Sequence, residues 1–326
     1  MAEEERPAKK PQGSSDRTEP NKLGEMLQLI PRELASKILN KLGAFEIFPT
    51  ASLVCHFWWK LCIDPLMWRT IDLTSHPRVG HAKLEKFCLR AIQQSSGHLQ
   101  DISIKDIATD DILKSIADSG SHLRRLRLLR CWEISDEQLD EVVKKLPRLE
   151  EFEISVNIIS KDTLELMGKC CPHLKVLKFN MKEIKGEECD DEAFAIAKTM
   201  PQLRHLQLLG NRLTNKGLIA ILDGCPRLES LDLRVCSNVN LSGSLRERCC
   251  KQIKNLRFPD DLSSEISIYV EGGAVGYYEL DCGCDIDQAN YEAELEAYQD
   301  AVWAQFDNDR DDEYEEFLDA HYLELL

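Results

Sequence analysis

The chain has 326 residues, 43% of them hydrophobic and 30% charged, with 13 cysteines and a formal charge of −16. That length suffices for one large or two modest domains. No apolar run approaches the roughly 18 residues a membrane helix requires, and residues 1–22 carry no apolar h-region, so neither a membrane span nor a secretory signal is expected.

The charge is uneven. Residues 279–326 hold 17 Asp/Glu against one basic residue, Arg310, which leaves 40 acidic and 40 basic side chains in residues 1–278. A neutral body gives no reason to expect a nucleic-acid partner, which favours a basic face. An odd cysteine count in a long chain without a secretory signal points to reduced thiols, and hence to the nucleus and/or cytoplasm.

Residues 1–24 are polar and read as a disordered N-terminus. The stretch LQLIPRELASKILNKLGAFEI follows. Pro31 suits a first helical turn, and Leu34, Ile38 and Leu42 repeat at i, i+4 and i+8 as an apolar stripe. A second helix is expected over roughly Ile47 to Ile63, with Val54, Trp58, Leu61 and Cys62 on one face and Phe57 and Trp59 flanking it. That apolar arc is wider than a one-sided surface helix needs. About 45 residues cannot enclose it, so the rest of the chain or another protein must cover part of it.

From Leu99 a pattern recurs: LQDISI, LRRLRL, LEEFEI, LKVLKF, LRHLQL, LESLDL and IKNLRF, at spacings of 24, 26, 25, 29, 25 and 25 residues. Apolar residues at the first, fourth and sixth positions describe a strand with one buried face. Thr109, Ser135, Ser160 and Thr214 then stand where helix N-caps belong, and Ser135 with Gln138 forms a capping box. Pro147, Pro172, Pro201 and Pro226 stop each helix two residues before the next strand motif. A strand plus a helix every 25 or so residues is the signature of leucine-rich repeats, whose stacked neighbours build one continuous core. Cys131 and Cys236 near strand exits, and Cys171 and Cys225 at helix ends, resemble the cysteine-containing class of such repeats, with the role of small core hydrophobes. The longest repeat carries an insertion, KEIKGEECDD, at 182–191, of a size a surface loop tolerates.

The N-terminal residues now resemble a known module. Ile30-Pro31-x-Glu33, Ile38-Leu39, Leu42, Val54-Cys55-x-x-Trp58 and Asp64-Pro65-Leu66-x-Trp68-Arg69 match the order and spacing of an F-box. Joined to the repeats, the chain resembles plant F-box/LRR-repeat proteins of the Skp-interacting-partner type. It departs from the common F-box in Ile30, Glu46 and Pro49. The resemblance implies an α/β chain: a three-helix F-box at 25–75, a leucine-rich-repeat horseshoe solenoid at 76–262, and a capping segment with an acidic disordered tail at 263–326. It implies a substrate receptor of an SCF-type ubiquitin ligase, its F-box bound to the Skp adaptor and through it to a cullin scaffold. By position, Ile30, Pro31, Glu33, Ile38, Leu39, Leu42, Val54, Trp58, Leu66 and Trp68 form the set that faces or supports the adaptor. The competing expectation is a repeat scaffold or sensor whose N-terminal helices only cap the solenoid.

A target would lie on the concave face, where Arg125, Arg127, Glu151, Glu153, Lys178, His205, Asp232 and Arg234 alternate with the core positions. Arg125 and Arg127 can dock an acidic peptide or phosphopeptide, or pair across strands with Glu151 and Glu153, which occupy matching positions. Residues 263–278 alternate apolar and polar as an edge strand or cap would, and the aromatic-bearing acidic tail can fold back onto the Arg patch. Cys282-Gly283-Cys284 has no second Cys/His pair at zinc spacing. No Walker, Rossmann, HExxH or GxSxG motif is present, so neither a cofactor nor an enzymatic activity is expected.

Overall fold

The computed structural model describes residues 27, 29–47, 50–75, 80–155, 159–180 and 187–261, together with strands at 267–271 and 274–278. The N-terminal 24 residues, Pro49, positions 182–186 of the insertion and the acidic tail lie outside the described residues.

The N-terminal region holds α1 (Arg32–Leu39), α2 (Ala44–Ile47), a 3-10 turn at Ala51–Leu53, α3 (His56–Cys62) and a second 3-10 turn at Pro65–Arg69. Pro31 stands at the N-cap of α1, just ahead of the first helical residue. The single helix expected over 47–63 is divided. Cys55 is extended, with φ −167° and ψ 160°, and starts α3 afresh. Together with the 3-10 turn at Ala51–Leu53 it interrupts the helix, a break that the identity of the apolar residues alone does not mark.

Eight parallel strands come next, in sequence order: β1 (Thr70–Leu73), β2 (Asp101–Lys105), β3 (Arg125–Leu129), β4 (Glu151–Ser155), β5 (Val176–Asn180), β6 (His205–Gln207), β7 (Ser230–Asp232) and β8 (Asn255–Arg257). Their register advances one repeat at a time, so Ile71, Ile102, Leu126, Phe152, Leu177, Leu206, Leu231 and Leu256 form one row across the sheet. The sheet therefore begins one strand earlier than the leucine pattern indicates. Trp68, Ile71 and Leu73 hold the first, fourth and sixth positions of that extra motif, and all three are buried.

Between the strands run α4 (His81–Gln94), α5 (Asp110–Ser119), α6 (Asp136–Lys145), α7 (Lys161–Cys170), α8 (Asp191–Thr199), α9 (Asn215–Gly224) and α10 (Gly243–Gln252). Thr109, Ser135, Ser160 and Thr214 each accept a backbone N–H of the first turn, as their positions predict. Acids at the helix starts then tie repeats together. Asp110 accepts from Ser135 N and Oγ at 2.9 and 2.7 Å, and Asp190 accepts from Thr214 N, Thr214 Oγ1 and Gly217 N at 2.7, 2.8 and 3.1 Å. A Cβ at Gly217 would lie 2.4 Å from Asp190 Oδ1, so this ladder requires glycine there.

The four cysteines sit in the core with their thiols on carbonyls of neighbouring turns: Cys171 Sγ on Leu146 O at 3.5 Å, Cys225 Sγ on Met200 O at 3.5 Å, Cys236 Sγ on Leu208 O at 2.8 Å and Cys131 Sγ on Leu129 O at 3.2 Å. They are small hydrophobes that also satisfy helix-end and strand-exit acceptors. Beyond β8, Ser267–Glu271 and Ala274–Tyr278 pair antiparallel with each other in a separate two-stranded sheet. They do not extend the parallel sheet.

Candidate protein-binding interfaces

The N-terminal helices have an inner and an outer face. On the inner face, Ala35, Leu39, Ala44, Phe45, Ile47, Leu61, Cys62, Met67 and Trp68 join the solenoid core as one cluster. Phe87 of α4 is the hinge of that junction. Its ring stacks on Phe45 with centroids 4.5 Å apart and meets Trp68 edge-on at 6.3 Å. Trp68 Nε1 donates to Cys62 O at 2.8 Å, and Gln94 Nε2 donates to Ile63 O at 2.6 Å. The first repeat thus fixes the helical module rather than trailing from it. A cleft of about 710 Å³ lies at this junction, bordered by Leu42, Met67, Thr70, Asp72 and Gln100.

The outer face is apolar and uncovered. Leu29 is 82% exposed, Leu34 51%, Ile38 39% and Leu66 51%. Leu34 and Ile38 are one turn apart on α1 and share a face. An Arg32–Asp64 ion pair holds the start of α1 beside the Pro65–Arg69 turn that carries Leu66. A soluble surface has no reason to gather large aliphatic side chains unless something covers them.

The residues read from sequence as adaptor-facing or adaptor-supporting divide along this line. Pro31, Glu33, Ile38 and Leu66 are exposed; Ile30, Leu42, Val54 and Trp58 are half-buried; Leu39 and Trp68 are core. Leu29 and Leu34 are also exposed and stand outside the set the motif supplies. The signal for Leu34 is its i, i+4 relation to Ile38. Leu29 has only its place beside Ile30-Pro31. The aromatic surplus divides too. Trp68 is 1% exposed, while Trp59 is half-buried and stacks on His56 at 5.6 Å. Trp58 is half-buried with its indole N–H enclosed and without an acceptor among the described residues.

The concave face presents charge. Arg127 NH2 lies 2.8 Å from Glu151 Oε1, and Arg127 Nε lies 3.7 Å from Glu153 Oε2. Arg125 turns to the preceding strand instead, and NH2 donates to Asp101 Oδ2 at 2.8 Å. That bond raises the Arg125 pKa further above its ordinary value. Lys178 Nζ reaches Glu153 Oε2 at 3.0 Å. Both arginines therefore pair with neighbouring acids, Arg127 with Glu151 and Glu153 and Arg125 with Asp101. Asp232 and Arg234 are 8% and 6% exposed and form a buried pair, with Arg234 Nε and NH2 at 2.9 and 2.7 Å from the carboxylate. They brace the turn after β7, where Val235 has φ +65°. At the rim, Arg130 binds Asp106 at 2.9 Å and lies 5.9 Å from the ring of Trp132, which is 47% exposed.

A second cleft, of about 430 Å³, opens over β5–β8. Lys178, His205, Gln207, Ser230, Asp232, Arg234, Asn255 and Arg257 supply its polar lining.

Burial pushes the thiols of Cys62, Cys131, Cys171 and Cys236 up to about 12 and that of Cys225 to about 11. They stay protonated at neutral pH, and it is the thiolate that attacks. Among the described residues, no group of three or more His, Cys, Asp or Glu is placed to hold a metal ion.

Comparison with known proteins bears on both surfaces. The F-box-like family model matches residues 27–74. F-box protein SKIP19 of Arabidopsis thaliana is 44% identical over 284 residues, covering 86% of this chain and 92% of that protein. F-box/LRR-repeat protein 22 of the same plant is 39% identical over 251 residues, covering 76% of this chain and 81% of its own length. F-box/LRR-repeat protein 23 is 48% identical over 237 residues, and the matched region spans about half (53%) of that longer relative.

Proposed function

Because the chain belongs to the plant F-box/LRR-repeat family, we propose that it is the substrate-recognition subunit of an SCF-type ubiquitin ligase. Its F-box binds the Skp adaptor, which connects it to a cullin scaffold. Its repeats hold a target protein so that the target's lysines face the ubiquitin-loaded enzyme. The role is that of an adaptor, with the transfer chemistry supplied by other subunits.

The observation that supports this reading most directly is the uncovered apolar face of Leu29, Leu34, Ile38 and Leu66 within the F-box-like segment. Burying aliphatic side chains is worth roughly 25 cal/mol per Å² of apolar surface, which makes such a face a binding site in water. Leu39 and Trp68 act from behind it, by keeping α1 and the Pro65–Arg69 turn seated on the core.

The test is reconstitution of the purified chain with the Skp adaptor and the cullin, followed by size-exclusion chromatography. The proposed role predicts a stable ternary complex. A chain that elutes alone, with its circular dichroism intact, would make the N-terminal helices a solenoid cap and end the ligase reading.

A further inference from the structure

The two ends of the solenoid are finished differently. At the N-terminal end the helical module closes the core, with Phe45 and Trp68 against Phe87. At the other end the core thins. Helices α5 to α9 each bury three or four residues, whereas α10 buries Cys249 alone. In the row that crosses the sheet, the seven residues from Ile71 to Leu231 are at most 2% exposed. Leu256, the last of that row, is only half-buried, as are Leu241 ahead of α10 and Leu245 on it. The backbone ladder stops there as well. Lys175 and Val176 N donate to Glu150 O, Arg204 and His205 N to Lys175 O, Glu229 and Ser230 N to Arg204 O, and Lys254 and Asn255 N to Glu229 O. Lys254 O is the next acceptor in the series, and among the described residues no backbone N–H is bonded to it.

Such an end calls for a cover, because a repeat buries its apolar face only against a neighbour. Helix α10 adds positive charge to it. Arg246, whose guanidinium lies 4.4 Å over the ring of Phe258, and Lys251 are both exposed and form no ion pair among the described residues. The chain itself carries a matching segment. Tyr291, Leu295, Tyr298, Val302 and Phe306 follow one another at spacings of 4, 3, 4 and 4. On a helix they fall within an arc of about 80°. Between residues 285 and 306 stand six acids and no basic residue. On the same helix Glu292 and Glu294 flank the stripe on either side, and Asp300 lies opposite it. Gln288, where the segment begins, comes 27 residues after Asp261, so the segment is tethered to the open end at high effective concentration.

We infer that residues 288–306 pack as a helix over the open end of the solenoid. The stripe from Tyr291 to Phe306 covers Leu241, Leu245 and Leu256, and the flanking acids lie beside Arg246 and Lys251. The segment takes the place of a further repeat helix and completes the core that α10 and β8 leave open. The inference is independent of the adaptor role, since the F-box lies at the other end of the solenoid.

The experiment is hydrogen exchange read by mass spectrometry on the full chain and four altered forms: Leu295→Glu/Val302→Glu, Ile268→Glu/Val270→Glu, a chain stopped after residue 286 and a chain stopped after Phe306. Peptides spanning 243–258 report the open end, and those spanning 125–180 report the body of the solenoid. The Leu295/Val302 variant and the chain stopped after 286 should exchange roughly tenfold faster or more over 243–258, with 125–180 unchanged. The chain stopped after Phe306 should match the parent over both. Unchanged exchange over 243–258 in the Leu295/Val302 variant would overturn the inference, and so would a rise that extends equally to 125–180 in both tail forms. A rise confined to the Ile268/Val270 variant would give the end to the hairpin instead. A dimeric mass by light scattering, with protection of 243–258 that grows with protein concentration, would give it to a second copy. Either result overturns the assignment to 288–306.

Discussion

The F-box segment and the solenoid solve opposite problems with their surfaces. Solenoid strands leave polar side chains outward and neutralise most of them internally, as Arg127 does with Glu151 and Lys178 with Glu153. The F-box leaves Leu34, Ile38 and Leu66 outward and exposed. An apolar face binds any partner of matching shape tightly, which suits one constant adaptor. A face of paired charges binds little by itself, and discriminates among partners by where a pair is left incomplete. On the proposed role, the difference teaches that affinity for a constant adaptor and selectivity for a variable target would be located in separate chemistry.

That contrast can be broken at the junction first. Phe87→Ala removes the ring that Phe45 and Trp68 pack against. It should cost about 3–5 kcal/mol, seen as a large fall in thermal midpoint and as loss of adaptor binding with it. A Leu34→Glu/Ile38→Glu variant should do the reverse. Its folding stability should stay within about 0.5 kcal/mol of the parent, while adaptor affinity falls by at least about 2 kcal/mol, as for a hot-spot pair. Calorimetry and urea titration read the two quantities separately.

The tryptophans sharpen the comparison at smaller scale. Trp68→Phe deletes the buried bond to Cys62 O and leaves that carbonyl without its indole donor, for an expected cost of about 1–3 kcal/mol. Trp58→Phe deletes an N–H that has no acceptor among the described residues, so stability should hold or rise slightly. The pair of urea midpoints checks this.

A weaker effect comes from the buried thiols. Their native pKa lies above the ordinary value of 9.0, at about 12 for Cys131, Cys171 and Cys236. The protonated form is favoured in the folded state, so their contribution is fully present below pH 9 and is lost as pH rises from there toward 12. Thermal midpoints should accordingly decline from about pH 9 upward, and less steeply in Cys171→Ala.

Much of the architecture was legible in the sequence, and the exceptions have physical causes. Strands β2–β8 declare themselves because Leu or Ile recurs at fixed spacing and Thr109, Ser135, Ser160 and Thr214 cap the intervening helices. Strand β1 escaped because its leading position is Trp68 and its neighbours serve the F-box motif. The break before α3 escaped because a 3-10 turn at Ala51–Leu53 followed by one extended residue, Cys55, is not marked by the apolar residues there. The division of the F-box positions into Leu39 inside and Ile38 outside needed the packing of α1 on the core. Charge partners were the least legible. Arg125 faces Glu151 in register yet bonds Asp101, since a long side chain chooses between two strands by geometry that spacing does not encode.

The most direct measurement is isothermal titration of the Skp adaptor into the parent chain, the Leu34→Glu/Ile38→Glu variant and the Arg125→Ala/Arg127→Ala variant. An adaptor interface on the exposed face of α1 predicts tight binding by the parent and the Arg variant, and none by the Leu34/Ile38 variant, with all three folded by circular dichroism. Undiminished binding by the Leu34/Ile38 variant would contradict it and move the interface elsewhere.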